Sequence, residues 1–333
     1  APDAADPPGG VPGGAGVAGV RHGLEVDLGG LRFAAPVLAA AGCLGTGRDV
    51  PGVVDLRRLG GVVTRSLTLE PVRGGAAPRG AETPSGLLSS VGLQNPGVRA
   101  FVEEDLPRLA GAGVPVIGSV AGSTADEYLR VAQVLHVQPG IVALEIYLSC
   151  PDQERHGAPF YARPDRVAEI VGAVARLSRL PVFAKLPPLL PDLASTARAA
   201  VRAGAHGLTL IDALPGLSVD VDSRRPRLAA PVGLLSGPAI RPVAVAAVYR
   251  VAQELPETPI MGVGGIRTPA DAIEFFLAGA WAVQIGTALL VDPSVHLEVA
   301  KGILAYLKDK GIGSPADLRG RLRPRGGVSA ERA

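Results

Sequence analysis

From residue 37 onward, short continuous apolar runs alternate with longer stretches of helical periodicity. The runs fall at 37–41, 61–64, 115–120, 142–148, 181–185, 207–211, 259–263 and 281–285. Runs of this length without strict alternation are the pattern of parallel strands covered on both faces. Between them the spacing predicts helices near 52–59, 98–110, 124–136, 164–178, 193–203, 239–254 and 269–278, followed by one at 293–309. Ser123-Thr124, Asp192 and Thr268-Pro269 mark helix starts, because a side-chain oxygen there can accept from the first free N–H groups. Eight strands alternating with helices imply a parallel sheet, and eight is the number at which such a sheet closes. A doubly wound open sheet is the alternative. The strand count decides for a (β/α)8 barrel of the TIM type.

Ahead of the first run, residues 24–36 alternate around Gly29-Gly30, which predicts a β-hairpin with a two-residue turn. Residues 1–20 are mostly Ala, Gly and Pro without periodicity, the composition of a disordered tail, and lack the charged start and apolar core of a signal peptide. The expected organisation is a tail over 1–20, one barrel domain over 21–325 and a disordered end over 326–333.

Composition narrows the classes. Of 333 residues 47% are apolar and 19% charged, enough for a large core. No apolar run approaches the roughly 18 residues of a membrane span. The net charge of +2, with no basic patch interleaved with aromatics, argues against nucleic acid. Cys43 and Cys150 are the two cysteines, and they form no CxxC pair. That argues against a disulfide framework or a cysteine-built metal site and fits a reducing, cytoplasmic setting. His22, His136, His206 and His296 show no metal spacing.

Three features carry chemistry. The fourth apolar run ends at Cys150-Pro151, where Pro removes a ladder donor and turns the chain out of the sheet. A thiol there lies at the C-terminal mouth of the barrel, the catalytic face of this fold; the alternative is a small buried apolar residue. Glycine turns follow the last two strands, Met261-Gly262-Val263-Gly264-Gly265-Ile266 and Ile285-Gly286-Thr287. Such turns let backbone N–H groups approach a phosphate, at the two loops where barrels commonly bind one. No GxGxxG opens a βαβ unit, so the phosphate belongs to a mononucleotide rather than a Rossmann-bound dinucleotide. Lys185 ends the fifth apolar run, where an unpaired ammonium is costly to bury. At the barrel mouth it could stabilise an electron-rich ring or an enolate.

Several further stretches fix a resemblance: Glu82-Thr83-Pro84-Ser85-Gly86-Leu87, Gly92-Leu93-Gln94-Asn95-Pro96-Gly97, Val120-Ala121-Gly122-Ser123, Leu148-Ser149-Cys150-Pro151, Lys185-Leu186-Pro187-Pro188 and Leu235-Ser236-Gly237-Pro238-Ala239-Ile240. With the glycine turns, they make the chain resemble the class 1 dihydroorotate dehydrogenases, FMN-bearing barrels, and within them the subclass that works with an iron–sulfur flavoprotein. The resemblance implies FMN as cofactor, its phosphate held by Gly237, Gly264, Gly265, Gly286 and Thr287, with Ser236 also binding the cofactor. Ala41 and Gly42 would lie against the isoalloxazine and Lys185 at its N1/O2 edge. Cys150 would take a proton from one substrate carbon while hydride from its neighbour passes to the flavin. Implied partners are a small-molecule substrate, an iron–sulfur/FAD electron-transfer subunit and a second copy of the chain.

The chain departs from the family on the substrate side. Where the family carries a lysine and a ring of asparagines, this sequence has Arg65, Ser89, Ser119, Tyr147, Asp152 and Asp212. An amide donates and accepts, whereas an ionised Asp only accepts, and Tyr147 is bulky. Each lost buried hydrogen-bond partner costs roughly 1–3 kcal/mol. The expectation is therefore an FMN-dependent paralogue specialised away from dihydroorotate, in secondary metabolism. The alternatives are a dihydroorotate dehydrogenase with an altered pocket, converting dihydroorotate to orotate, and a flavin-binding protein without turnover. Arg155 and His156 fall on the covering loop, Cys43 reads as packing, and Glu145 shares a strand face with Tyr147.

Overall fold

The computed structural model describes residues 23–45, 54–188 and 192–323. The expected tails at 1–20 and 326–333 lie outside these.

Each of the eight apolar runs forms a barrel strand: β1 (Val37–Ala39), β2 (Gly61–Val63), β3 (Val116–Val120), β4 (Ile141–Tyr147), β5 (Val182–Leu186), β6 (Gly207–Leu210), β7 (Ile260–Val263) and β8 (Ala282–Ile285). Each pairs in parallel with the next in sequence, and β8 closes on β1. The expected TIM-type barrel is borne out. Nearly every strand residue is buried, because helices cover the outside and side chains fill the inside.

The hairpin closes the N-terminal end. Val26 pairs with Phe33 and Asp27 with Arg32 around Gly29-Gly30, whose φ values of 70° and 99° suit the tight turn. Val26, Leu28 and Phe33 pack on Leu38, Val63, Ile117, Phe183 and Met261 inside the barrel. Water is thereby kept from that end, which leaves the C-terminal mouth for chemistry.

Helices Ala125–Leu135, Pro164–Leu177, Leu193–Arg202, Arg241–Glu254, Pro269–Ala278 and Val295–Asp309 match their predicted positions within a few residues. Thr124, Asp192 and Thr268 cap as expected, accepting from the N–H groups of Glu127, Ser195 and Asp271. The segment predicted as one helix over 98–110 widens by one residue per turn at Phe101–Asp105 before continuing as Leu106–Gly111. Pro107, which has no N–H to donate, opens that continuation.

The sheet that walls the cavity was not predicted. Strands Gly80–Thr83, Gly86–Ser89, Gly233–Ser236 and Leu214–Gly216 form an antiparallel sheet contributed by the loops after β2 and β6. It supplies one wall of the cavity at the C-terminal mouth.

Candidate active site

A cavity of about 1,020 Å³ opens at the C-terminal ends of the barrel strands. Such a volume accommodates a drug-sized cofactor together with a small ring. Ala41, Gly42, Arg65, Ser89, Tyr147, Lys185, Asp212, Ser236, Gly237, Gly264, Gly265, Gly286 and Thr287 line it. The structure thus brings together most of the residues singled out in the sequence.

At Gly237, Gly264 and Gly265 the turns build a cradle with no room for a side chain. Gly237 and Gly265 have φ of 91° and 73°; a Cβ on Gly265 would lie 2.8 Å from the Gly237 carbonyl oxygen and from Cβ of Arg241. Beside them the Thr287 hydroxyl donates to the Ser236 hydroxyl at 2.7 Å. Amides and hydroxyls in this arrangement fit a phosphate. Substituting Thr287→Val, which removes one hydroxyl from the cradle, is expected to weaken FMN binding about tenfold. Flavin fluorescence titration of the apoprotein measures this.

Lys185, next to last in β5, has its amine 3.6 Å from Oε1 of the fully buried Glu145. Burial works against its charge, but Glu145, then Asp212 and Cys43, reverse that effect and hold the ammonium above its usual range. Glu145 is the site residue whose role the sequence left open. Its signal was present, since a carboxylate inside an apolar strand needs a partner, but only the fold names Lys185 on the adjacent strand.

Arg65 donates to the Gly42 carbonyl at 3.4 Å, and the Ser149 hydroxyl donates to Asp212 at 2.7 Å. Burial, then the charge of Asp212, pushes the Tyr147 phenol well above its ordinary range. Cys43 also lines the cavity, its thiol pushed by burial up to about 11.

Three expected site residues lie behind the cavity wall, and for two of them the expected substrate contact is corrected. Ser119 shares a 2.9 Å hydroxyl bond with Ser66, which does reach the cavity, and its N–H donates to Thr64. It supports β2 instead of touching substrate. Asp152 accepts from Arg166 Nε at 2.7 Å and from the Glu154 N–H at 3.0 Å. Arg166 also holds Glu154 and Glu169 and lies over the Phe160 ring. With the backbone bonds Asp152 N–H to Ala158 and Phe160 N–H to Cys150, this cluster folds the loop after β4 back on the barrel. Asp152 is thus an anchor of that loop. The third, Cys150, is only 2% exposed. Burial pushes its thiol up to about 11, against the opposing hydrogen bonds of Tyr128 and the Gly122 backbone. His156 is exposed on the same loop at φ 59°, and Arg155 sits in its 3-10 turn.

The family signature described as dihydroorotate dehydrogenase matches residues 23–307. The chain belongs to the dihydroorotate dehydrogenase family. Among its relatives, the dihydroorotate dehydrogenase B (NAD(+)) catalytic subunit of Desulforudis audaxviator is 47% identical over 302 residues, 91% of this chain and 98% of the relative. The identically named protein of Geobacillus kaustophilus is 44% identical over 298 residues, 90% and 95% of the two chains. That of Geotalea daltonii is 42% identical over 300 residues, 90% and 98%. As a member of this family the chain is an FMN-dependent oxidoreductase acting on CH–CH groups. The glycine cradle, the buried Lys185 cation and the adjoining space fit FMN, which when bound supplies the hydride acceptor. Among the described residues no helix is long and apolar enough to cross a membrane, and no cluster of three or more His, Cys, Asp or Glu side chains could hold a metal.

Proposed function

We propose that this enzyme oxidises dihydroorotate to orotate as the catalytic subunit of a larger assembly. The observation that carries the reading is the single cavity joining the phosphate cradle, the Lys185 cation and space for a small ring, in a chain matching its relatives over nearly their full length. In this reading Cys150 takes a proton from one ring carbon and the hydride of the neighbouring carbon goes to FMN. Electrons leave through an iron–sulfur/FAD subunit to NAD+. The relatives' shared name, that of a catalytic subunit working with NAD(+), supports a further subunit, and so does the apolar rim of the cavity, where Val232, Leu290 and Val291 are 59%, 57% and 82% exposed. Pairing with a second copy of the chain follows from the family resemblance.

One observation favours a second reading. The wall carries the bulky Tyr147 and the carboxylate of Asp212, already engaged by Ser149, where an amide would both donate and accept; this suits a ring that offers N–H donors in place of a carbonyl. This is the specialised paralogue; its placing in secondary metabolism draws no support from relatives named for dihydroorotate.

Anaerobic addition of dihydroorotate to the yellow protein separates the two. Bleaching of the visible flavin band within seconds is the expected result. No bleaching, in protein whose flavin dithionite still reduces, would move the assignment to the second reading.

A further inference from the structure

Beneath the cavity floor lies a buried polar layer of which the proposed reaction uses only Lys185. Glu145 of β4 accepts at Oε2 from Thr209 of β6 at 2.8 Å and from the Gln284 amide of β8 at 3.2 Å. Its Oε1 makes no hydrogen bond and faces Lys185 of β5 at 3.6 Å. Four strands thus send one polar side chain each into a mostly apolar interior, and Lys185 carries that layer up to the cavity. The groups acting on its amine are Glu145, Asp212 from the turn after β6 and Cys43 from the turn after β1. Among the described residues Glu145 is the one in ion-pair contact.

A buried amine without a counter-ion tends to shed its proton. The two donors on Oε2 fix the Glu145 carboxylate and leave Oε1 for the lysine. We propose that Glu145 is a positioning residue: it keeps the Lys185 amine a cation at the cavity floor, so that bound FMN meets a fixed positive charge. This depends on FMN binding and holds whichever ring is oxidised.

Sulfite reads that charge without any substrate, because it adds as an anion to oxidised flavin and the adduct is stabilised by a cation nearby. The test titrates sulfite into FMN-loaded wild type, Glu145→Gln, Lys185→Met and the double variant, following loss of the visible band. Glu145→Gln is expected to weaken sulfite binding on the order of tenfold and to lower the flavin potential. In the Lys185→Met background the same change should have no weakening effect. The two possible roles differ in sign, since a carboxylate acting only through its own field would, once removed, tighten sulfite binding. Unchanged or tighter binding in Glu145→Gln, or a full loss persisting without Lys185, overturns the proposal. Flavin content and melting temperature, measured alongside, report whether each variant is folded and loaded. Should Glu145→Gln fail there, Glu145→Asp, which keeps the charge but withdraws it, carries the test. It should bind sulfite more weakly than wild type by a smaller factor, and equal affinity would overturn the assignment.

Discussion

The variant Arg166→Ala is expected to lose roughly 3–5 kcal/mol of folding stability, the cost of leaving a buried carboxylate without its counter-ion. Arg166 and Asp152 are 4% and 2% exposed and meet at 2.7 Å, so water cannot replace the missing guanidinium. Glu154 and Glu169 lose the same partner, but they are half exposed and add little. A control exists at the exposed start of the same helix. Arg163 pairs with Asp165 at a similar 2.7 Å with both side chains more than half exposed, and Arg163→Ala should cost less than about 1 kcal/mol. Urea midpoints with unchanged slopes would measure both. The larger loss should be accompanied by easier proteolysis within 150–159, because the guanidinium ties that loop to helix Pro164–Leu177. Equal losses for the two arginines would mean that the loop is held by its backbone bonds instead.

This cluster also marks where sequence reading stops. The barrel was legible because its evidence is local. Eight apolar runs, their spacing and the caps at Thr124, Asp192 and Thr268 each follow from a few neighbouring residues. The cradle was legible for the same reason, since glycines at strand ends identify themselves. The added sheet was not, because Gly80–Thr83 and Leu214–Gly216 are short, partly exposed strands that exist through pairing across distant loops. Asp152 and Ser119 were misread for a related reason. Position in a motif suggested the cavity, but where a side chain points depends on what else is in reach: Arg166, 14 residues away, captures Asp152, and Ser66 captures Ser119. Glu145 was placed on the strand face of Tyr147 with no partner named, and its partner became visible when β4 and β5 were seen side by side.

Substituting Cys150→Ala should slow flavin reduction by dihydroorotate on the order of 10²–10⁴-fold, the usual contribution of a positioned base, while leaving FMN content unchanged. The thiol lies outside the cradle, so nothing in phosphate binding depends on it. A sharper consequence concerns pH. A base acts only when deprotonated, and burial holds this thiol near 11, above the roughly 8.5 of a free cysteine. The thiolate fraction, and with it the rate in wild type, should therefore keep rising about tenfold per pH unit through pH 9 and 10. A solvated thiol would instead level off near 8.5. Stopped-flow reduction from pH 6.5 to 10 distinguishes the two. A plateau by pH 9 that Cys150→Ala abolishes would keep the residue as base but place it, during turnover, in wetter surroundings than the enclosed position beside Tyr128. Retention of the wild-type rate and profile by Cys150→Ala would remove the thiol from the chemistry altogether. Tyr147 and Asp212, which line the cavity where Cys150 does not, would then be the next groups to substitute.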